Sequence, residues 1–157
     1  MKLYIAALLA LSGCIIEDPC EEIPSADNVM LKLQLLSASG EPFFFRRNGY
    51  VRDSARIVDE QGLRIDIPIP QASLTNDAPI SCYLLERGKE PVLHTLITRQ
   101  YMVYFKKADQ DTLRVQYQLS KSDCNTLDVD VLQVFYNNNL VYNNPLETSA
   151  EILVTKP

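Results

Sequence analysis

The stretch Leu113-Arg114-Val115-Gln116-Tyr117-Gln118-Leu119 decides the fold. Apolar and polar residues alternate through it without a break, so one face of an extended chain is apolar and the other carries Arg114, Gln116 and Gln118. Successive side chains of a strand point to opposite faces, and a period of two marks a strand lying half-buried on a core.

The same period recurs on both sides. Val29, Leu31, Leu33 and Leu35 alternate with Met30, Lys32 and Gln34, and Ser37-Ala38-Ser39-Gly40 ends that strand. Phe43-Phe44-Phe45 is a short apolar run, followed by Arg46-Arg47 and the hairpin signal Asn48-Gly49. A weaker strand is expected from Tyr50 to Val58, with a turn at Asp59-Glu60-Gln61-Gly62. Leu63, Ile65, Ile67 and Ile69 then alternate with Arg64, Asp66 and Pro68. Pro68 lacks an N–H and predicts an edge strand or a strand end. Ile80–Glu86, Val92–Ile97 and Tyr101–Lys106 are further strands, and Asp109-Gln110-Asp111 is the expected link into the central one. Val129–Tyr136 returns through Asn137-Asn138-Asn139 to Leu140–Tyr142, and Ile152–Thr155 closes the series. About ten short strands, turn signals every ~8–12 residues and no amphipathic helix predict an all-β chain. The expected architecture is an antiparallel β-sandwich, Ig-like or a similar small sandwich or barrel.

The N-terminus reads differently. One cation, Lys2, precedes the apolar run Leu3 to Leu11, which is nine residues long. A membrane-spanning helix needs about 20. A charged start, an apolar core and small residues before a cut form the pattern of a signal peptide. Leu11-Ser12-Gly13-Cys14 resembles the lipobox of bacterial lipoproteins. The resemblance implies that residues 1–13 are cleaved and that Cys14 is lipidated, making the membrane a partner through its lipid. Ile15 stands where an Asp would imply inner-membrane retention, which favours the outer membrane. Glu17, Asp18, Glu21 and Glu22 resemble the surface-export signal of Bacteroidota-type lipoproteins, so a surface-exposed position is favoured over one facing the periplasm. Residues 14–28 then form an acidic tether, and residues 29–157 a single domain.

More broadly, the chain is similar to small exported lipoproteins of Bacteroidota-type bacteria. The residues that carry the likeness are Cys14 with its acidic segment and Cys20, then Asp111 to Tyr117, then Ser122-Asp123-Cys124. Asn125 follows where that family commonly has Gly. The family brings no assigned activity and implies a β-rich exported lipoprotein.

With Cys14 taken by lipid, Cys20, Cys82 and Cys124 remain in an oxidising compartment. That allows one intramolecular bridge and leaves one thiol. Cys82 shares a strand face with Ile80 and Leu84 and reads as a small core residue. Cys20 and Cys124 lie in polar surroundings and are the expected pair, with Cys82–Cys124 as the alternative. The net charge of −5 becomes −6 once cleavage of residues 1–13 removes Lys2 and no acid. Nucleic acid is a poor partner for such a chain, because phosphate binding needs a basic patch. Arg46-Arg47 with Arg52 and Arg56 is the nearest approach to one.

No catalytic constellation emerges. The single His, His94, lies in Val92-Leu93-His94-Thr95 and reads as a strand residue, on the surface or satisfied in the core. No nucleophile elbow, Cys–His pairing or zinc motif is present. The chain is read as not an enzyme; a carboxylate-based hydrolase, whose acids come from distant strands, is the least favoured alternative. Asp109, Asp111, Asp123, Asp128 and Asp130 offer oxygens to calcium, but Asp equally suits turns and solvent faces, so neither metal nor cofactor is expected. Tyr83, Tyr101, Tyr104, Tyr117, Tyr136 and Tyr142 fall on expected strands, where about half the positions face a core, and the chain has no Trp. Phe43, Phe44 and Phe45 cannot all point inward, so they form either a partner patch or a patch covered by the chain's own loops, the second being preferred. Asp53-Ser54-Ala55 and Asp111-Thr112-Leu113 resemble the O-glycan acceptor of exported Bacteroidota proteins, which makes Ser54 and Thr112 candidate sites. The expected function is a non-catalytic interaction or accessory module of the envelope, with an envelope or surface protein as partner. Contact would come through a strand edge or the Phe43–Phe45 region. A surface glycan-binding protein is the alternative.

Overall fold

The computed structural model describes residues 30–44, 50, 52–67, 78–85, 90–106, 108–124, 126–144 and 149–156. The expected signal peptide, the tether, Cys14, Cys20, Val29, Phe45 and the Asn48-Gly49 turn lie outside the described residues. Strand β5 (Asp109–Lys121) contains the deciding stretch. Leu113, Val115, Tyr117 and Leu119 are buried along one face, as the alternation requires. Fully burying side chains of this size stabilises by about 1.5–3 kcal/mol each.

Around β5 an antiparallel five-stranded sheet forms, in the order β2 (Arg56–Val58), β4 (Ile97–Lys106), β5, β6 (Leu127–Tyr136), β7 (Asn139–Asn143). A register shift between Gln118 and Leu119 changes the phase of β6. Leu127 and Val129 face the core before it, and Leu132, Val134 and Tyr136 face the core beyond it. A bulge does this by adding one unpaired residue, which flips every later side chain to the other face. The β6–β7 turn places Asn137 and Asn138 at φ 47° and 67°. Both central residues of a type I′ hairpin need positive φ, and Asn tolerates it better than most side chains.

The second sheet has the order β3 (Ile80–Tyr83), β1 (Met30–Ser37), β8 (Ser149–Lys156). Leu31, Leu33 and Leu35 from β1, Ile80 and Cys82 from β3, and Ala150, Ile152 and Val154 from β8 face the first sheet. The two inner faces make one core, so the chain is an all-β sandwich. One ladder departs from the antiparallel expectation: β1 pairs with β8 in parallel, Met30 opposite Ser149 through Ser37 opposite Lys156.

Several expected elements take another form. Tyr50 to Val58 is not one strand; Arg52–Ser54 forms a 3₁₀ turn and β2 is three residues long. Arg52 is buried there and donates to the carbonyls of Ala78 (3.3 Å) and Pro79 (2.8 Å), holding two loops together. Val92 to Leu96 is not a strand either, and His94 adopts φ 55°. Strand β4 starts at Ile97 and runs without a break into the segment expected from Tyr101. Asp109 and Asp111 sit inside β5 rather than in a turn.

The alternation from Leu63 gives two isolated bridges, Arg64 with Val58 and Asp66 with Cys82, and its faces do not separate cleanly into buried and exposed, since Ile65 packs on the core and Arg64 is exposed. Leu63 is 61% exposed while Asp66 is 5% exposed. The buried carboxylate has its own partners. Asp66 Oδ1 accepts the Ile57 N–H (3.0 Å) and Arg64 Nε–H (2.9 Å), and Oδ2 accepts from Arg64 Nη2 (2.7 Å). The carboxylate thus replaces a missing ladder partner for β2. Asp66→Ala is expected to orphan the Ile57 N–H and lower stability by about 1–3 kcal/mol, measured as a reduced urea midpoint with an unchanged slope.

Candidate functional site

The inward row of β8 runs Ala150, Ile152, Val154 and ends on Lys156, a cation on a core-facing position. The inward row of β5 begins with Asp109 and Asp111 ahead of Leu113. Where the two sheets face each other these rows meet. Lys156 Nζ lies 2.8 Å from Asp109 Oδ1 and 2.5 Å from Asp111 Oδ2. A buried charge needs such partners, because leaving it unpaired costs several kcal/mol.

Each carboxylate has further donors. Tyr50 donates its hydroxyl to Asp109 Oδ2 at 2.5 Å. Tyr136 donates to Asp111 Oδ2 at 2.5 Å, and Asn137 Nδ2 donates to Asp111 Oδ1 at 2.8 Å. Aromatic rings line the amine: Nζ lies 4.3 Å from the Phe105 centroid and 5.7 Å from that of Phe43. Phe43 packs in turn on Tyr50, centroids 4.5 Å apart. Lys106 Nζ sits 4.2 Å from the Tyr50 ring centroid.

Burial opposes the charge on Lys156, but hydrogen bonds to Asp109 and Asp111 outweigh it and raise its pKa above the ordinary lysine value. Burial likewise opposes the charge on Asp109, and hydrogen bonds from Lys156 and Tyr50 outweigh it and lower its pKa. Burial, and then the bond to Asp111, push the Tyr136 phenol far above its usual range, so Tyr136 keeps its proton and acts as a donor.

A cavity of about 330 Å³ opens where the Asp59–Gly62 turn meets the end of β3 and the start of β4. Glu60, Arg64, Tyr83, Leu85, Arg99 and Tyr101 are among its lining residues. Its two carboxylates serve the backbone: Asp59 Oδ1 accepts the N–H groups of Gln61 and Leu63, and Glu60 Oε1 accepts that of Gln100. Burial, and then the neighbouring Cys82 and Tyr117, hold the Tyr101 phenol well above its ordinary pKa, so it stays neutral.

The residues singled out from sequence are dispersed. Asp128 and Asp130 share the exposed face of β6, Asp123 lies in a turn, and Asp109 and Asp111 are held by Lys156. Among the described residues no group of three or more His, Cys, Asp or Glu side chains is placed to hold a metal. His94 is exposed, and its backbone N–H donates to the Leu119 carbonyl at 2.7 Å. Tyr101, Tyr117 and Tyr136 are core residues, and the partly exposed Tyr83 belongs to a different sheet from Tyr104 and Tyr142. Phe43 and Phe44 are buried in the core cluster and pack on Phe105, which removes them as a partner patch. Ser54 Oγ donates to the Phe105 carbonyl at 2.7 Å, and Thr112 Oγ1 lies 3.4 Å from Asn137 Oδ1. A glycan on either hydroxyl requires that contact to break.

Cys82 is a free buried thiol. The Cys82–Cys124 alternative is therefore set aside. Cys124 is disulfide-bonded, and the other sulfur lies outside the described residues. Ser122 Oγ organises this turn by accepting the N–H groups of Cys124 (3.2 Å) and Thr126 (3.3 Å).

Lys156 did not stand out in the sequence. The signal was there in Ser149-Ala150-Glu151-Ile152-Leu153-Val154-Thr155-Lys156, where the alternation places Lys156 on the face of Ile152 and Val154. No protein-family model, curated protein or solved structure matches the chain.

Burial, and then Asp66, push the Cys82 thiol up to about 12. At pH 8 it is a protonated, inaccessible thiol, whereas a free cysteine has a pKa near 8.5. Iodoacetamide is expected to leave Cys82 unmodified in the native protein and to alkylate it fully in denaturant, as peptide mass mapping would read out.

Proposed function

We propose that this chain is a lipid-anchored lipoprotein of the outer membrane, displayed at the cell surface, and a non-catalytic module that binds an envelope or surface protein through the edge of β8. The observation that carries the reading is the character of that strand. Among the described residues β8 is the terminal strand of its sheet, eight residues long, with Glu151, Leu153 and Thr155 exposed on its outer face. Leu153 is 61% exposed. A long edge presents unpaired N–H and C=O groups that a partner strand completes, and flanking side chains give specificity.

The tether is stapled to the domain in this reading. With the Cys14 sulfur taken by lipid and Cys82 free, Cys20 is the cysteine left to pair with Cys124. The chain-entropy account gives such a long loop about 4–5 kcal/mol as a ceiling.

Two measurements test this reading. Protease added to intact cells is expected to degrade the domain, and Cys14→Ser is expected to release it from the membrane fraction. A photo-crosslinking amino acid at position 153 is expected to capture one discrete protein partner in cells, while the same group at position 92 captures none. Val92 is comparably exposed, at 56%, and lies outside the strands, in the segment before β4. Protection of the domain until lysis, or equal capture from both positions, would sink the proposal.

The cavity supports a second reading, a surface glycan-binding protein. Tyr83 offers a ring for stacking, and Arg64, Arg99 and Gln100 offer donors around it. In titration calorimetry with soluble bacterial or host polysaccharides, Tyr83→Ala is expected to weaken binding about tenfold. No heat with any polysaccharide would remove this alternative.

A further inference from the structure

An ion pair needs one carboxylate, and Lys156 has two, with a separate donor on each remaining oxygen. Asp111 Oδ1 receives Asn137 Nδ2–H, and Asp111 Oδ2 receives both the Tyr136 hydroxyl and Lys156 Nζ. Asp109 Oδ1 lies against the same amine, with its Oδ2 held by Tyr50.

We propose that Lys156 Nζ and Asp111 Cγ condense into an intramolecular isopeptide bond that joins β8 covalently to β5. The step balances within the cluster. The ammonium gives one proton to Asp111, so that a neutral amine faces a neutral carboxyl group. The Nζ lone pair attacks Cγ, and the developing charge on Oδ1 is met by Asn137 Nδ2–H, a fixed donor of the kind that stabilises tetrahedral intermediates. Asp109 accepts a second proton from the nitrogen and passes it to Oδ2, which the Tyr136 hydroxyl also hydrogen-bonds. The Cγ–Oδ2 bond breaks and water leaves. One ammonium and one carboxylate have become an amide and a water, with no oxidant, nucleotide or added reactant.

The surroundings hold the two reactants together away from bulk water. Side-chain exposures are 8% for Lys156 and 11% for Asp111, and Phe105 and Phe43 line the amine. Hydrogen bonds hold Lys156 in its charged form at rest, so the proton transfer is the uphill step that precedes attack. Both reactants sit on paired strands of facing sheets, so the encounter is already ordered. Once the amide forms, Asp109 keeps the Tyr50 hydroxyl and the field of Lys106, so it is not left as an uncompensated charge.

The test is peptide mapping of the purified full chain after denaturation, reduction and proteolysis. The expected result is a branched peptide containing both Asp111 and Lys156, one water lighter than its two linear parts. Recovery of Asp111 and Lys156 in separate linear peptides would overturn the proposal outright. Asp111→Asn is expected to give the same branch with loss of one ammonia, because the side-chain nitrogen then leaves in place of Oδ2. Asp109→Asn keeps the shape of the site and is expected to yield linear peptides. A full yield of branched peptide from that variant would overturn the role of Asp109. Native circular dichroism of each variant, compared with Lys156→Arg, separates loss of the bond from loss of the fold.

Discussion

Lys156 is the constraint that the arrangement of the two sheets depends on. Its amine is carried by the three-stranded sheet and its partners by the five-stranded one. Taking a cation out of water costs several kcal/mol, and only good geometry with additional hydrogen bonds recovers it. Recovery here needs β5, β8, the start of the β6–β7 turn and Tyr50 in place together. A slip of β8 by one residue would bring Thr155 to the core face and send Lys156 to solvent, leaving Asp109 and Asp111 without the cation that bonds both. The cluster therefore fixes the register of the last strand as strongly as the apolar row Ala150, Ile152, Val154 does.

Apolar packing aims the polar groups of that cluster. The turn after β1 closes with the Ser37 N–H on the Glu41 carbonyl and Gly40 at φ 80°, and the Phe43 N–H returns to the Leu35 carbonyl. That brings Phe43 against Phe105, centroids 5.3 Å apart, and against Tyr50. Held by its ring, Tyr50 has its hydroxyl directed at Asp109. The run Phe43-Phe44 thus packs inward and positions a donor rather than forming an outer contact surface.

The sequence and the structure agree where one force acts alone. In β1, β5 and the Asn137-Asn138 turn, period or backbone conformation decides the outcome without competition. Disagreement appears where a polar side chain outweighs the period. Asp66 replaces a backbone partner of β2, and this buries one carboxylate of the face that the alternation of Leu63, Ile65 and Ile67 leaves polar. Arg52 does the same to the expected strand over Tyr50 to Val58 by bonding two loop carbonyls. The parallel pairing of β1 with β8 was not legible either, because it joins segments more than a hundred residues apart and no local pattern encodes a partner. Lys156 was overlooked for a related reason. Its position on the inner face follows from alternation, but its significance depends on Asp109 and Asp111, which the sequence read as a turn.

Strand β4 divides the sandwich into two ends of different character. Arg99 and Tyr101 line the cavity at one end, and Phe105 underlies the Lys156 amine at the other. Tyr101 and Phe105 are four residues apart, about 13 Å along a strand, with Val103 fully buried between them. The cluster and the cavity are thereby held apart at opposite ends of one strand. The same separation bears on β8. Its inner face ends in the cluster, while its outer face carries Leu153 on an edge. A strand pinned at Lys156 loses little freedom when another strand adds to it, and preorganisation of that kind lowers the entropic cost of association. The buried cluster and the exposed edge are consequences of one alternating strand: the face that fixes β8 in the core sets Glu151, Leu153 and Thr155 on the other.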